Sequence, residues 1–96
     1  MLKDEVLIQL REFYRTNAKQ YALKKMGLFG SVARGEETKE SDIDIVVEFE
    51  KPNLLKQAEL MLQLKALFGR EVDVIALWKR MNPRLKQRIE KEVIYV

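Results

Sequence analysis

Three aspartates and one glycine–serine turn hold the chemistry legible in this chain. Asp42 and Asp44 stand two apart in Ser41-Asp42-Ile43-Asp44-Ile45-Val46-Val47, and Asp73 interrupts the apolar run Glu71-Val72-Asp73-Val74-Ile75-Ala76-Leu77. Residues i and i+2 of a strand project to the same side, roughly 6–7 Å apart. Two carboxylates so placed repel each other unless a cation or solvent separates them. Hard oxygen donors on a short, rigid spacing suit Mg²⁺, which takes one or two carboxylates and completes its shell with substrate phosphates and water. A solvated strand edge, or a Ser41-Asp42 turn leading into the strand, would explain the pair without any ligand. Asp73 is a poor local fit inside an apolar strand, and such a broken rule is often a functional position. Alternation sets it opposite Val72 and Val74 and on the side of Glu71. If its strand lies beside that of Asp42 and Asp44, three carboxylates converge. Otherwise it is an Asp at an exposed strand end, or one paired with Arg70 or Lys79.

The turn is Gly30-Ser31-Val32-Ala33-Arg34-Gly35. Its Gly-x4-Gly spacing matches the opening of a P-loop, but that motif requires Lys and Ser/Thr next. Glu36-Glu37 follow instead, and two carboxylates would repel a phosphate, so the P-loop reading fails. What survives is a Gly-Ser turn at a strand end leading into a short helix. Such a turn aims backbone N–H groups and a hydroxyl at one point, which suits an anion. Taken alone, the same pair also fits an ordinary strand–helix connection.

The elements that must position these residues follow from periodicity. Val6, Leu7, Leu10, Phe13 and Tyr14 recur at helical spacing between Asp4 and Asn17. Tyr21 to Phe29 reads as a strand ending at Gly30, and the β-branched run Ile43 to Phe49 as a core strand. Pro52-Asn53 breaks the chain, and Asn53 can cap a helix from Leu54 to Phe68 that Gly69 ends. Glu71 to Leu77 is a third strand. Asn82-Pro83 has the chemistry of a helix start, with Leu85, Ile89 and Val93 spaced by four along one face of the helix that follows. The order α-β-(short α)-β-α-β-α predicts an α/β (α+β) fold, a small sheet with helices packed against it. Residues 1–96 are expected to form a single domain.

Composition narrows the chemistry further. The chain has neither Cys nor His, which excludes disulfides, thiolate zinc sites, cysteine nucleophiles and imidazole bases. Catalysis must then use carboxylates, hydroxyls, Lys or Arg, and a borrowed metal. Net charge is +3 with both signs interspersed. That is compatible with an anionic ligand but too weak for a dedicated nucleic-acid binder. The opening Met1-Leu2-Lys3-Asp4-Glu5 lacks a hydrophobic signal region, and no apolar run approaches the roughly 20 residues of a membrane span. The expected location is the cytoplasm, with no membrane partner.

Gly30-Ser31-x-Ala33-Arg34-Gly35, then Ser41-Asp42-x-Asp44 before apolar residues, then Asp73 between valines, resembles the DNA polymerase β-type nucleotidyltransferase superfamily. More narrowly, it resembles the minimal nucleotidyltransferases of prokaryotes that occur as antitoxins paired with HEPN-domain ribonuclease toxins. The resemblance spans essentially the whole chain, and every motif position is intact. It implies a polymerase β-like nucleotidyltransferase fold that transfers AMP from ATP to a hydroxyl, typically a tyrosine, of the partner HEPN toxin. By the same resemblance, Gly30 and Ser31 would hold the β- and γ-phosphates, and Asp42 and Asp44 would coordinate two Mg²⁺ ions. Asp73 would bind the metal that activates the acceptor hydroxyl and help remove its proton. Arg34 either contacts phosphates, as part of the nucleotide site, or pairs with Glu36 or Glu40 and fixes the loop. Lys39 reads as a solvated loop charge.

The chain has no residues left for a further domain to hold an acceptor, so a partner is expected to supply it. The basic stretch from Lys79 and Arg80 through Arg84, Lys86 and Arg88, with Trp78 and Met81, either contributes to that contact or forms the solvated face of the last helix. Three alternatives stand beside this reading: a nucleotidyltransferase acting on RNA or a small molecule, a binding-only antitoxin that neutralises by occlusion, and a small basic nucleic-acid-binding module.

Overall fold

The computed structural model describes residues 3–38 and 40–96; Met1, Leu2 and Lys39, with the loop charge read at Lys39, lie outside the described residues. Eight elements follow one another: α1 (Lys3–Asn17), β1 (Leu23–Phe29), α2 (Gly30–Arg34), β2 (Ile43–Phe49), α3 (Leu54–Phe68), β3 (Val72–Ala76), α4 (Pro83–Glu92) and β4 (Ile94–Tyr95). The strands form one mixed sheet in the order β3-β2-β1-β4. β1 runs antiparallel to both β2 and β4, whereas β2 and β3 are parallel and joined across α3.

Local chemistry sets the helix ends. The Asn53 side chain accepts from the Lys56 N–H at 3.0 Å to start α3, and Gly69 closes that helix in the left-handed region. At α4 the Asn82 side chain accepts from Arg84 N–H at 2.9 Å, with Pro83 in the first turn where its missing donor costs nothing.

Strand alternation divides the core between the two faces of the sheet. Ile43, Ile45, Val47 and Val72 join Met26 and Leu28 beneath α1 and α3, which contribute Val6, Leu10, Leu60, Leu64 and Phe68. On the opposite face, Val46 packs with Phe29, Leu77, Met81 and Ile89 under α4. The stripe read along α4 is narrower than its spacing by four suggested. Ile89 is fully buried, but Leu85 remains 42% exposed and lies outside the core cluster under α4. Met81, read as part of a contact surface, is buried in the core. Among the described residues, no helix is long and apolar enough to cross a membrane.

The two-residue strand β4 was not legible in the sequence. It pairs Tyr95 with Gly27 and Ile94 with Leu28. Gly27 makes room for it: a Cβ there would lie 2.6 Å from Val93 Cγ2 and 2.8 Å from the Ile94 carbonyl oxygen. Gly27→Ala should therefore lower unfolding stability by about 1–3 kcal/mol in urea denaturation. Amide exchange at Ile94 and Tyr95 should rise more than at β2.

Candidate active site

The topology brings the chemistry to one end of the sheet. β2 and β3 are parallel, so their N-terminal ends lie together, and antiparallel β1 delivers its C-terminal end to the same place. Register makes this specific: Phe29 pairs with Asp44, and Asp44 pairs with Asp73. Gly30 follows directly after Phe29, and Asp42 lies just ahead of β2. Asp42, Asp44 and Asp73 share the face of Val46 and Ile75, the α4 side, where α4 packs against Val46 rather than over the acids. The convergence expected from sequence is thus present for Gly30, Asp44 and Asp73, with Asp42 exposed at the strand entrance.

Gly30 sits closest to the acids. Its φ is +78°, a backbone conformation that side chains disfavour. A Cβ at this position would stand 2.2 Å from Asp44 Oδ2. Only glycine lets the turn close onto that carboxylate. Ser31 begins the exposed side of α2, whose N-cap, Phe29, provides no side-chain acceptor for the helix's first N–H groups. The first turn of α2 therefore starts, without a side-chain cap, at the strand end beside Asp44.

The electrostatics of Asp44 are strained in one direction. The Asp44 carboxyl is held above the ordinary carboxylate range, first by burial and then by the charges of Asp73 and Asp42; Arg34 pulls the other way. None of the three acids is ion-paired among the described residues. The pairings of Asp73 with Arg70 or Lys79 that its position allowed do not form. Instead, Arg70 donates to the Thr38 and Ser41 carbonyl oxygens and anchors the loop that delivers Asp42. The donor set fits a hard divalent cation: three carboxylates, one partly buried and none ion-paired among the described residues. Among the described residues no acidic cluster closes into a ready-made cage, so Mg²⁺ here would complete its shell with phosphate oxygens.

Arg34 forms the expected pair with Glu36 and adds a second, with Glu92. Its Nε lies 2.9 Å from Glu36 Oε2 and its Nη1 3.5 Å from Glu92 Oε2, near the end of α4. Glu40 is not among its partners. The pairing with Glu36 follows from sequence proximity. That with Glu92, 58 positions away by residue number (92 − 34), had no local signal.

With this geometry in hand, the chain matches the nucleotidyltransferase domain family over residues 7–96. It belongs to that family. The protein is a nucleotidyltransferase with the small mixed α/β fold of the minimal members. It is 40% identical over 99 aligned residues to a Methanocaldococcus jannaschii protein provisionally named a protein adenylyltransferase, an alignment covering 96% of this chain and 99% of that one. It is also 38% identical over 78 residues to protein adenylyltransferase MntA of Thermococcus cleftensis, covering 80% of this chain and 78% of the relative. A solved structure provisionally described as a minimal nucleotidyltransferase superposes with a TM-score of 0.79 at 36% identity, covering 98% of this chain and 95% of that chain. A toxin–antitoxin complex crystallised with AMP-PNP superposes with a TM-score of 0.74 at 25% identity, covering 91% and 68%.

Two outcomes test the geometry of this nucleotidyltransferase site. Gly30→Ala should cut nucleotidyl transfer by about 10²-fold or more, because its Cβ displaces Asp44; steady-state kinetics on folded protein checks this. The raised proton affinity of Asp44 means that its ionised form destabilises the fold at neutral pH, and that the penalty vanishes as pH falls below its unfolded value. Asp44→Asn should therefore raise the melting temperature at pH 7 in metal-free buffer. The gain should shrink to nothing below about pH 4.

Proposed function

We propose that this nucleotidyltransferase transfers AMP from Mg-ATP to a hydroxyl of a HEPN-domain toxin, a tyrosine in the first instance, and so acts as its antitoxin. The observation that carries the reading is the register that sets Asp44 beside Asp73 and under Gly30. It is supported by the protein adenylyltransferase names of relatives that align across most of the chain, and by the AMP-PNP bound to a toxin–antitoxin neighbour. On this reading residues 1–96 act as one domain in the cytoplasm.

Gly30 and Ser31 hold the β- and γ-phosphates through backbone N–H groups and the serine hydroxyl. Asp42, Asp44 and Asp73 are the residues that would hold two Mg²⁺ ions, which when bound neutralise the triphosphate and polarise the attacking and departing oxygens. Asp73, exposed on β3, takes the proton of the acceptor hydroxyl. The acceptor oxygen then bonds to the α-phosphorus as the bond to the bridging oxygen breaks, and pyrophosphate leaves in line. This chemistry needs positioning and charge neutralisation rather than an imidazole or a thiol. Arg34, held beside Asp44 by Glu36 and Glu92, supplies positive charge at the phosphate side.

Incubation with Mg-ATP and the HEPN-domain protein of its own source, followed by intact-mass analysis, tests the assignment. One or more AMP units should appear on the partner. The gain should be absent without divalent cation and nearly abolished in Asp42→Asn and Asp44→Asn. A tight complex with no mass gain, and neutralisation that survives both substitutions, would instead establish an antitoxin that works by occlusion.

A further inference from the structure

The end of the sheet away from the acids carries a cleft built around Trp78. Phe49 and Leu77, both buried, form its floor. On one side Trp78 walls an apolar cavity of about 300 Å³ that reaches Leu54, Ala76 and Gln57. On the other side it walls a wider cavity of about 630 Å³ lined by Lys24, Lys79, Arg80 and Lys86, with Glu48 and Glu50. Trp78 is 51% exposed and Leu54 84% exposed, so a large apolar surface stands beside a charged one. Lys24 pairs with Glu48 at 3.4 Å. Lys79, Arg80 and Lys86 have no ion-pair partner among the described residues. The cleft is left with a surplus of positive charge.

We propose that this cleft docks the acceptor protein through a segment that carries an apolar side chain between acidic residues. The inference rests on the reading that the acceptor is a protein. An exposed tryptophan over a buried apolar floor, ringed by cations, is the composition of an interface centre rather than of a solvated face. The unpaired cations favour carboxylates at the rim, where they steer encounter and fix orientation. A nucleic acid is a poorer match. Single-strand binding stacks successive bases on several aromatics, whereas here one exposed tryptophan stands beside a cavity walled by Leu54, Ala76 and Leu77. Position also favours the acceptor. Phe49 lies five positions beyond Asp44 along β2, roughly 17 Å at strand rise. The docked segment therefore leaves the acids open to a hydroxyl elsewhere on the same partner.

Trp78 is the only tryptophan in the chain, so its fluorescence reports the cleft directly. The full chain, without nucleotide, is titrated with three probes: a synthetic peptide with a central Leu flanked by Asp and Glu, its Lys-flanked counterpart, and an oligo-dT strand. The acidic peptide alone should shift the emission to the blue. That shift should weaken with salt and disappear in K79E/R80E, which keeps the tryptophan. In the AMP-transfer assay the same variant should raise the KM for the HEPN-domain acceptor about tenfold, with kcat and the KM for ATP unchanged. The proposal is overturned by an equal response to both peptides or by none. Tighter binding of oligo-dT, or a shift driven by rising protein concentration alone, also overturns it, the last meaning that a second copy fills the cleft. If the peptide docks but the wild type transfers no AMP, the adenylyltransferase reading fails and the docking surface stands.

Discussion

The close approach of the Gly30 backbone to the Asp44 carboxylate governs how this small protein can hold an active site. A strand normally projects each side chain away from the neighbouring chain's path, so a carboxylate at a strand start would face solvent or a loop. Here β1 ends and turns directly over β2, through a backbone conformation with φ of +78° that leaves no room for a Cβ. The turn fixes two things together. It points the start of α2 toward the acids, and it takes Asp44 partly out of water. Arg70 donates to the Thr38 and Ser41 carbonyl oxygens just ahead of the same strand start.

The same contact sets the electrostatic character of the site. A carboxylate that is partly buried and faced by two like charges is poorly stabilised by the protein alone. A divalent cation accompanied by phosphates would compensate for both the lost solvation and the mutual repulsion. The fold therefore carries a local destabilisation at the place where a charged ligand offsets it, a pattern common where function and stability compete. Arg34 moderates the effect without removing it, since its charge is shared with Glu36 and Glu92.

Helix α4 joins the two ends of the molecule. Its buried Ile89 covers the sheet face opposite α1 and α3. Glu92 at its end reaches Arg34 beside the acids, while Lys86 nearer its start lines the Trp78 cleft. One short amphipathic helix thus spans from the acids to the surface proposed for partner docking.

Much of this was written in local sequence. The helix Leu54–Phe68 was legible to the residue, because Asn53 and Gly69 supply cap chemistry that acts within one turn, and the β-branched run Ile43–Phe49 marked its own strand. Gly30, Ser31, Asp42 and Asp44 could be singled out because a glycine turn and same-side acids signal through neighbouring residues. Asp73 stood out because it breaks an apolar strand. Other features depended on contacts between distant positions. Strand β4 is too short to show a period and exists through its pairing with β1 and the space at Gly27. The exposure of Leu85 and the burial of Met81 depend on which residues the α4-side core reaches, which helical spacing cannot express. Arg34 met Glu92, and Arg70 met the loop before Asp42, through the order of strands rather than their content. Sequence by itself determined which groups this protein has for chemistry and which local elements present them, because propensity, capping and alternation act over a few residues. Only the tertiary structure decided that Gly30, Asp44 and Asp73 become neighbours, because strand order and register are set by packing both faces of one sheet.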